Sequence, residues 1–307
     1  MERFALAAAV VLGFALTAAL CSLFVPLRRV LERREQNQQP AQSEQPRPAP
    51  LRAPLWGGLC AAAGTVAAVG VGWLAACVGQ PELLGSEGRL MTRLLTALAG
   101  SLAFGAVGLA EDLARMRSPA ALGLRRDVRL LLEALAAAFV LLLLQAAGCL
   151  PRGLDVPGAG YVLLGSAVPF LWAVLMVALA ECARIAERDE GTVCGAAFVA
   201  MLALMMAEAG LGVPGLAVLP AALAGALVAL LLWAFPPARL GVGCCGSLLA
   251  AGAIGCIPLS LDMTSLTVPL ALPFWAAGGL LAAQLLGAKR TGKPLRCWVK
   301  KHKMSPE

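Results

Sequence analysis

Residues 92–112 read TRLLTALAGSLAFGAVGLAED. Arg93 stands near the start. A run of apolar residues with Gly, Ser and Thr continues to Ala110, and two carboxylates, Glu111 and Asp112, close it. A helix that crosses a bilayer needs about 20 mostly apolar residues. This stretch has that length, and its acids fall at one end. The pattern predicts a spanning helix with ionisable groups held at a membrane face.

The same signature recurs along the chain. Candidate spans fall at 4–27, 55–79, 92–112, 128–149, 161–182, 192–211, 214–235, 242–261 and 266–287. The first is too long for a signal peptide, has a weak n-region and runs directly into an Arg cluster, so it reads as a retained span. The expected fold is an all-α, polytopic bundle of about nine spans, forming one membrane domain over residues 1–307. Residues 36–54, rich in Gln, Pro and Ser, read as a flexible cytoplasmic loop, and 288–307 as a basic cytoplasmic tail.

Composition agrees with a membrane protein. Of 307 residues, 60% are hydrophobic and only 14% charged, against about one quarter charged in soluble domains. The ten Cys lie mostly inside apolar stretches and show no zinc spacing. His302 is the only histidine, which argues against His-based metal sites and Ser-His-Asp catalysis. Net charge is +7, and its distribution gives orientation. With the N-terminus outside, all of the 25 Lys and Arg except Arg3, Arg89, Arg93 and Arg152 fall on the inside. Nine spans then place the C-terminus in the cytoplasm.

Three segments on that face can carry chemistry: Glu111-Asp112, the run ECARIAERDE at 181–190, and the turn Gly241-Val242-Gly243-Cys244-Cys245-Gly246-Ser247. Each has two readings. Paired carboxylates hold a hard cation such as Mg²⁺, or simply mark a helix end entering water. The glycine-rich turn cradles phosphate, or permits close helix packing. Cys244-Cys245 is a thiol site or a pair of small apolar residues. The acids at 187–190 hold ligand or form a solvated loop.

In order and spacing these segments resemble the polyprenyl-phosphate N-acetylhexosamine-1-phosphate transferase superfamily (glycosyltransferase family 4), and within it the phospho-N-acetylmuramoyl-pentapeptide transferase branch. Pro54-Leu55-Trp56-Gly57-Gly58 is similar to the family's Pro-Thr-Met-Gly-Gly motif. Gly108-Leu109-Ala110-Glu111-Asp112 resembles Gly-Phe-x-Asp-Asp. Leu122-Gly123-Leu124, leading to Arg129-Leu130-Leu131-Leu132-Glu133, resembles Leu-Gly-Leu followed by Lys-Leu-Leu-Leu-Gln. Arg184 to Gly191 stands where the family has Asn-Leu-Thr-Asp-Gly-Leu-Asp-Gly, and Pro237 to Ser247 where it has Pro-Ala-x-x-Phe-Met-Gly-Asp-Thr-Gly-Ser. Thr291-Gly292-Lys293 and His302 are similar to the C-terminal Thr-Gly-Lys and first His.

The resemblance implies transfer of a phospho-amino sugar, of phospho-N-acetylmuramoyl-pentapeptide type, from a UDP-sugar to polyprenyl phosphate, with release of UMP, in a bacterial-type plasma membrane. It implies catalytic roles for Glu111 and Asp112. It implies substrate binding by Arg184, Glu187, Arg188, Glu190, Gly246, Ser247 and His302. Mg²⁺ is the implied cofactor of an active protein, held by Glu111, Glu187 and Glu190, and Cys244 stands at the family's metal-ligand position. A thiol there is a soft donor that suits Mg²⁺ poorly, and Arg184 replaces an Asn. The implied partners are polyprenyl phosphate, a UDP-amino sugar and the bilayer, with no nucleic acid and with a homodimer left open. Two alternatives stand beside an active transferase: a non-catalytic paralogue that binds lipid as scaffold or regulator, and an unrelated transporter.

Overall fold

The computed structural model describes residues 2–38, 56–79, 88–117, 123–151, 153–156, 160–163, 165, 167–187, 191–210, 215–235, 240–261 and 263–279. Among these residues lie eight long helices: α1 (Glu2–Gln38), α2 (Gly57–Gly79), α3 (Gly88–Arg117), α4 (Arg126–Ala146), α5 (Ala167–Ala186), α6 (Thr192–Gly210), α7 (Val218–Ala234) and α8 (Gly243–Ser260). A 3₁₀ turn, Thr264–Leu266, and a single-turn helix α9, Thr267–Leu270, follow. Among the described residues five segments are long and apolar enough to cross a membrane: Phe4–Val25, Gly57–Val78, Leu90–Arg117, Ala167–Ala186 and Gly243–Ser260. Helices α6 and α7 are apolar but shorter.

Helix α8 is the axis of the bundle, and every one of its residues is buried. Its sequence, GCCGSLLAAGAIGCIPLS, explains why. Small side chains let neighbouring backbones come close, which is how helices associate where lipid and protein are equally apolar. Helix α3 packs most extensively on it, and α5, α2 and α6 complete the surround. Gly108 of α3 lies so near the Cys244 carbonyl that a Cβ would overlap it, and Gly58 of α2 stands in the same relation to the Gly246 backbone. The N–H groups of Gly57 and Gly58 donate to the carbonyls of Gly241 and Val242, at 3.2 and 2.9 Å. Helix α2 therefore begins against the turn that opens α8.

Large apolar side chains face outward on other surfaces, among them Leu131, Leu135, Phe139 and Leu142 of α4 and Phe170, Leu171 and Val174 of α5. Such a belt suits a lipid surrounding.

The structure moves two expected boundaries. The span expected at 161–182 is helical only over Ala167–Ala186. The residues before it form an antiparallel hairpin of β1 (Gly153–Val156) and β2 (Gly160–Leu163), which pairs Asp155 with Tyr161. This short hairpin is an addition to the expected all-α architecture. The span expected at 266–287 begins as the 3₁₀ turn and α9, then turns at Ala271 before residues 272–279 continue as helix. Pro269 and Pro273 flank that break, and proline cannot donate to the helical ladder. Within the loop expected at 36–54, residues 36–38 belong to α1, and 39–54 lie outside the described residues, as does the tail at 288–307.

Candidate active site

Helices α3, α5 and α8 bring Glu111, Asp112, Glu187 and Cys244 together at one end of the bundle. Three sequence segments separated by more than 50 residues thus converge there, as their motif order anticipates.

Asp112 is 1% exposed. Its Oδ1 accepts the Cys244 N–H at 3.0 Å and its Oδ2 accepts the Cys245 N–H at 2.9 Å. These are orphan donors of the first turn of α8, which has no side-chain cap of its own. A carboxylate at a helix N-terminus satisfies the amides and complements the dipole. The chain turns into α8 through Gly243 at φ +71°, a conformation that favours glycine. The amides that a phosphate cradle would use are therefore occupied by Asp112. Gly246 lies against Gly58, and Ser247 is fully buried with its hydroxyl donating to the Cys244 carbonyl at 3.1 Å.

Glu111, one residue earlier on α3, points into a charge network. Arg115 Nη2 donates to its Oε1 at 2.7 Å, and Arg129 Nη1 stands 3.8 Å from the same atom. Arg129, on α4, donates through Nε to Glu181 Oε1 of α5 at 2.9 Å and lies 3.9 Å from Glu133 Oε1. Arg184 donates to Glu181 Oε2. Arg184, expected to bind substrate, is thus engaged in an ion pair within α5. The Cys244 thiol donates to Glu187 Oε2 at 3.1 Å. Glu187 occupies the turn after α5, where burial pushes its carboxyl above the ordinary range, against the thiol hydrogen bond and nearby Arg115.

Among the described residues the donor set does not fit Mg²⁺. That ion demands near-octahedral oxygen donors. Here both Asp112 oxygens face amides, Glu111 Oε1 faces guanidinium groups, and Cys244 offers sulfur as a donor to Glu187. Among the described residues no three His, Cys, Asp or Glu side chains are placed to hold a metal ion. Of the expected ligands and binding residues, Arg188, Glu190 and His302 lie outside the described residues.

Arg115, Arg129 and Glu133 were not named as site residues by sequence reasoning, and Glu181 only as the start of the run 181–190. The available signal was Arg129 and Glu133, four residues apart at the start of an apolar run. A second ionisable residue, Glu208 on α6, is 1% exposed, and both its oxygens lack a partner. It lies near the C-terminal end of α6, about 24 Å along the helix from Thr192 at 1.5 Å per residue.

A family model described as glycosyl transferase family 4 matches residues 94–262. That match contains Glu111, Asp112, Arg129, Glu187 and Cys244. The phospho-N-acetylmuramoyl-pentapeptide-transferase of Mycobacterium tuberculosis (strain ATCC 25618 / H37Rv) is 28% identical over 265 residues, covering 78% of this chain and 72% of its own. The enzyme of the same name from Synechococcus sp. (strain RCC307) is 30% identical over 210 residues, covering 67% and 55%. That from Desulforudis audaxviator (strain MP104C) is 32% identical over 170 residues, covering 52% and 50%.

Proposed function

The chain belongs to glycosyl transferase family 4, and from that premise we propose that it is a divergent phosphoglycosyl transferase of the phospho-N-acetylmuramoyl-pentapeptide-transferase type. It works as a nine-span protein of a bacterial-type plasma membrane, with its N-terminus outside and its site on the cytoplasmic face. Its substrates are polyprenyl phosphate and a UDP-amino sugar, the stretches above favouring UDP-N-acetylmuramoyl-pentapeptide. The observation that carries this reading is the convergence of Glu111, Asp112, Glu187 and Cys244, from three separated motifs, at one end of the bundle.

In the reaction the lipid phosphate oxygen attacks the sugar-bearing phosphorus of the UDP-sugar. A new P–O bond forms, the bond to UMP breaks, and UMP leaves. Chemistry of this type depends on positioning and charge neutralisation. Arg115, partly exposed and paired with Glu111, is the cation this reading assigns to an incoming phosphate. Asp112 supports the site from beneath by fixing the start of α8. Membership of the family implies divalent-metal-dependent transfer as the general mode, and the donor set of this chain departs from it.

That departure favours a second reading. A protein whose site acids are already paired with arginine and amide donors suits binding without turnover, as a lipid-binding scaffold or regulator. Release of UMP by the purified protein, given polyprenyl phosphate and UDP-N-acetylmuramoyl-pentapeptide, separates the two. Lipid-dependent release supports the transferase. Retained lipid binding without release, across several UDP-amino sugars, supports the paralogue.

A further inference from the structure

Helices α1 and α2 meet along two stripes of small residues. Ala9, Gly13, Thr17 and Cys21 recur every four residues on α1, and Cys60, Gly64, Ala68 and Gly72 do so on α2. Two glycines and an aromatic pair fix how the stripes align. A Cβ added to Gly72 would lie 3.7 Å from the Ala9 Cα, and one added to Gly64 would lie 3.3 Å from the Thr17 Cα. Further along, the rings of Phe24 and Trp56 stack with centroids 5.7 Å apart. As the number on one helix rises the other falls, so the two run antiparallel in one register. Four residues on from Thr17 and Gly64 that register pairs Cys21 with Cys60, and their thiols are hydrogen-bonded to one another. Both are free thiols, and both are buried.

We propose that Cys21 and Cys60 are a redox-active dithiol: hydrogen peroxide closes them to a disulfide that staples α1 to α2, and a thiol reductant opens it. The helices are close enough for the bond. A Gly64 Cβ placed 3.3 Å from the Thr17 Cα puts the two Cα atoms within about 5 Å, given a carbon–carbon bond of about 1.5 Å. A disulfide spans about 4.4–6.8 Å between Cα atoms. Cys21 and Cys60 stand one helical turn from this close approach, with their thiols already in contact. Cys194 is near Cys21 and Cys245 is near Cys60, but the hydrogen bond singles out Cys21 and Cys60 as partners.

In a reducing cytoplasm the pair rests as thiols. Peroxide gives one oxygen to one sulfur as its O–O bond breaks, leaving a sulfenic acid and a water. The second sulfur attacks the first, the S–S bond forms, the S–OH bond breaks, and a second water leaves with the thiol proton. Two electrons pass from the two sulfurs to the peroxide. Burial slows the first step, and the fixed partner speeds the second. The staple acts near the site: Cys60 lies in the first turn of α2, whose Gly57 and Gly58 amides hold the turn that opens α8. The inference rests on neither functional reading.

The test treats full-length protein in detergent with hydrogen peroxide, unfolds it in N-ethylmaleimide to cap free thiols, and maps the unreduced peptides by mass spectrometry. The expected product links the Cys21 and Cys60 peptides with loss of two hydrogens, and dithiothreitol reverses it. Oxidised wild type melts above the reduced form, and Cys21→Ser and Cys60→Ser remove that rise. Protein unfolded before the peroxide step gives scattered pairings. The wild-type map decides the matter even where C21S or C60S fails to accumulate. Any of four results overturns the proposal. The first is both thiols still capped at peroxide doses that oxidise a control dithiol peptide. The second is a bond from either residue to another cysteine as the main product. The third is an equal yield of the Cys21–Cys60 bond from protein unfolded first, and the fourth is a linked protein that melts no higher than the reduced one.

Discussion

Substituting Asp112 with Ala tests the placement of the site acids directly. In the structure this carboxylate accepts two amide N–H groups, at 3.0 and 2.9 Å, and is 1% exposed. Hydrogen bonds to a charged group contribute about 1.5–3 kcal/mol each, and buried donors left without a partner lose that in full. Two such bonds put the cost of D112A at about 3–6 kcal/mol. Asp112→Asn keeps one acceptor oxygen and turns an NH₂ group toward the second amide, so it falls between wild type and D112A. Two assays read the effect: the midpoint of unfolding in detergent and the rate at which a maleimide labels Cys244. The thiol is fully buried and sits in the first turn of α8, so fraying there exposes it. A lower midpoint with faster labelling is the expected result. Unchanged stability and labelling in D112A would refute the capping role and return Asp112 to the role of a free catalytic carboxylate.

Three further outcomes are expected. Gly58→Ala places a Cβ onto the Gly246 backbone and costs about 3 kcal/mol or more, whereas Gly70→Ala, with nothing near it, is tolerated; accumulation in membranes and melting temperature distinguish them. Glu208→Leu removes two buried oxygens without partners and raises stability by about 1–3 kcal/mol, and a drop in midpoint contradicts this. Glu187 has a folded pKa above its unfolded value, so the folded state binds the extra proton. Its contribution is full below the unfolded carboxyl range and fades as pH rises toward the raised folded value. Glu187→Gln flattens that part of the stability–pH profile, and an unchanged slope rules Glu187 out as its source.

Helices α2, α3 and α8 were legible because each is a run of about 20 mostly apolar residues, and a run of that kind favours a helix. The expected 55–79, 92–112 and 242–261 correspond to α2, α3 and α8. Hydropathy could not separate residues 160–163 from the helix after them, because Tyr161 and Val162 are apolar in either state. The proximity of the acidic segments was legible in part. Motif order put Glu111, Asp112, Glu187 and Cys244 on one face, and the structure brings them within reach of one another. The partners were not legible. Arg129 meets Glu181 across 52 positions, and Asp112 meets Cys244 across 132, and neither pairing leaves a local pattern. The glycine-rich turn suggested free amides for phosphate, and only the tertiary structure shows Asp112 already bonded to them.

UMP release by the purified full-length protein is the decisive measurement for the proposal that this chain moves a phospho-amino sugar onto a lipid phosphate. With polyprenyl phosphate and UDP-N-acetylmuramoyl-pentapeptide in detergent, the expected result is lipid-dependent UMP release that is lost in Glu111→Gln. Absence of UMP with this and other UDP-amino sugars, in an assay where a phospho-N-acetylmuramoyl-pentapeptide transferase turns over, would contradict it.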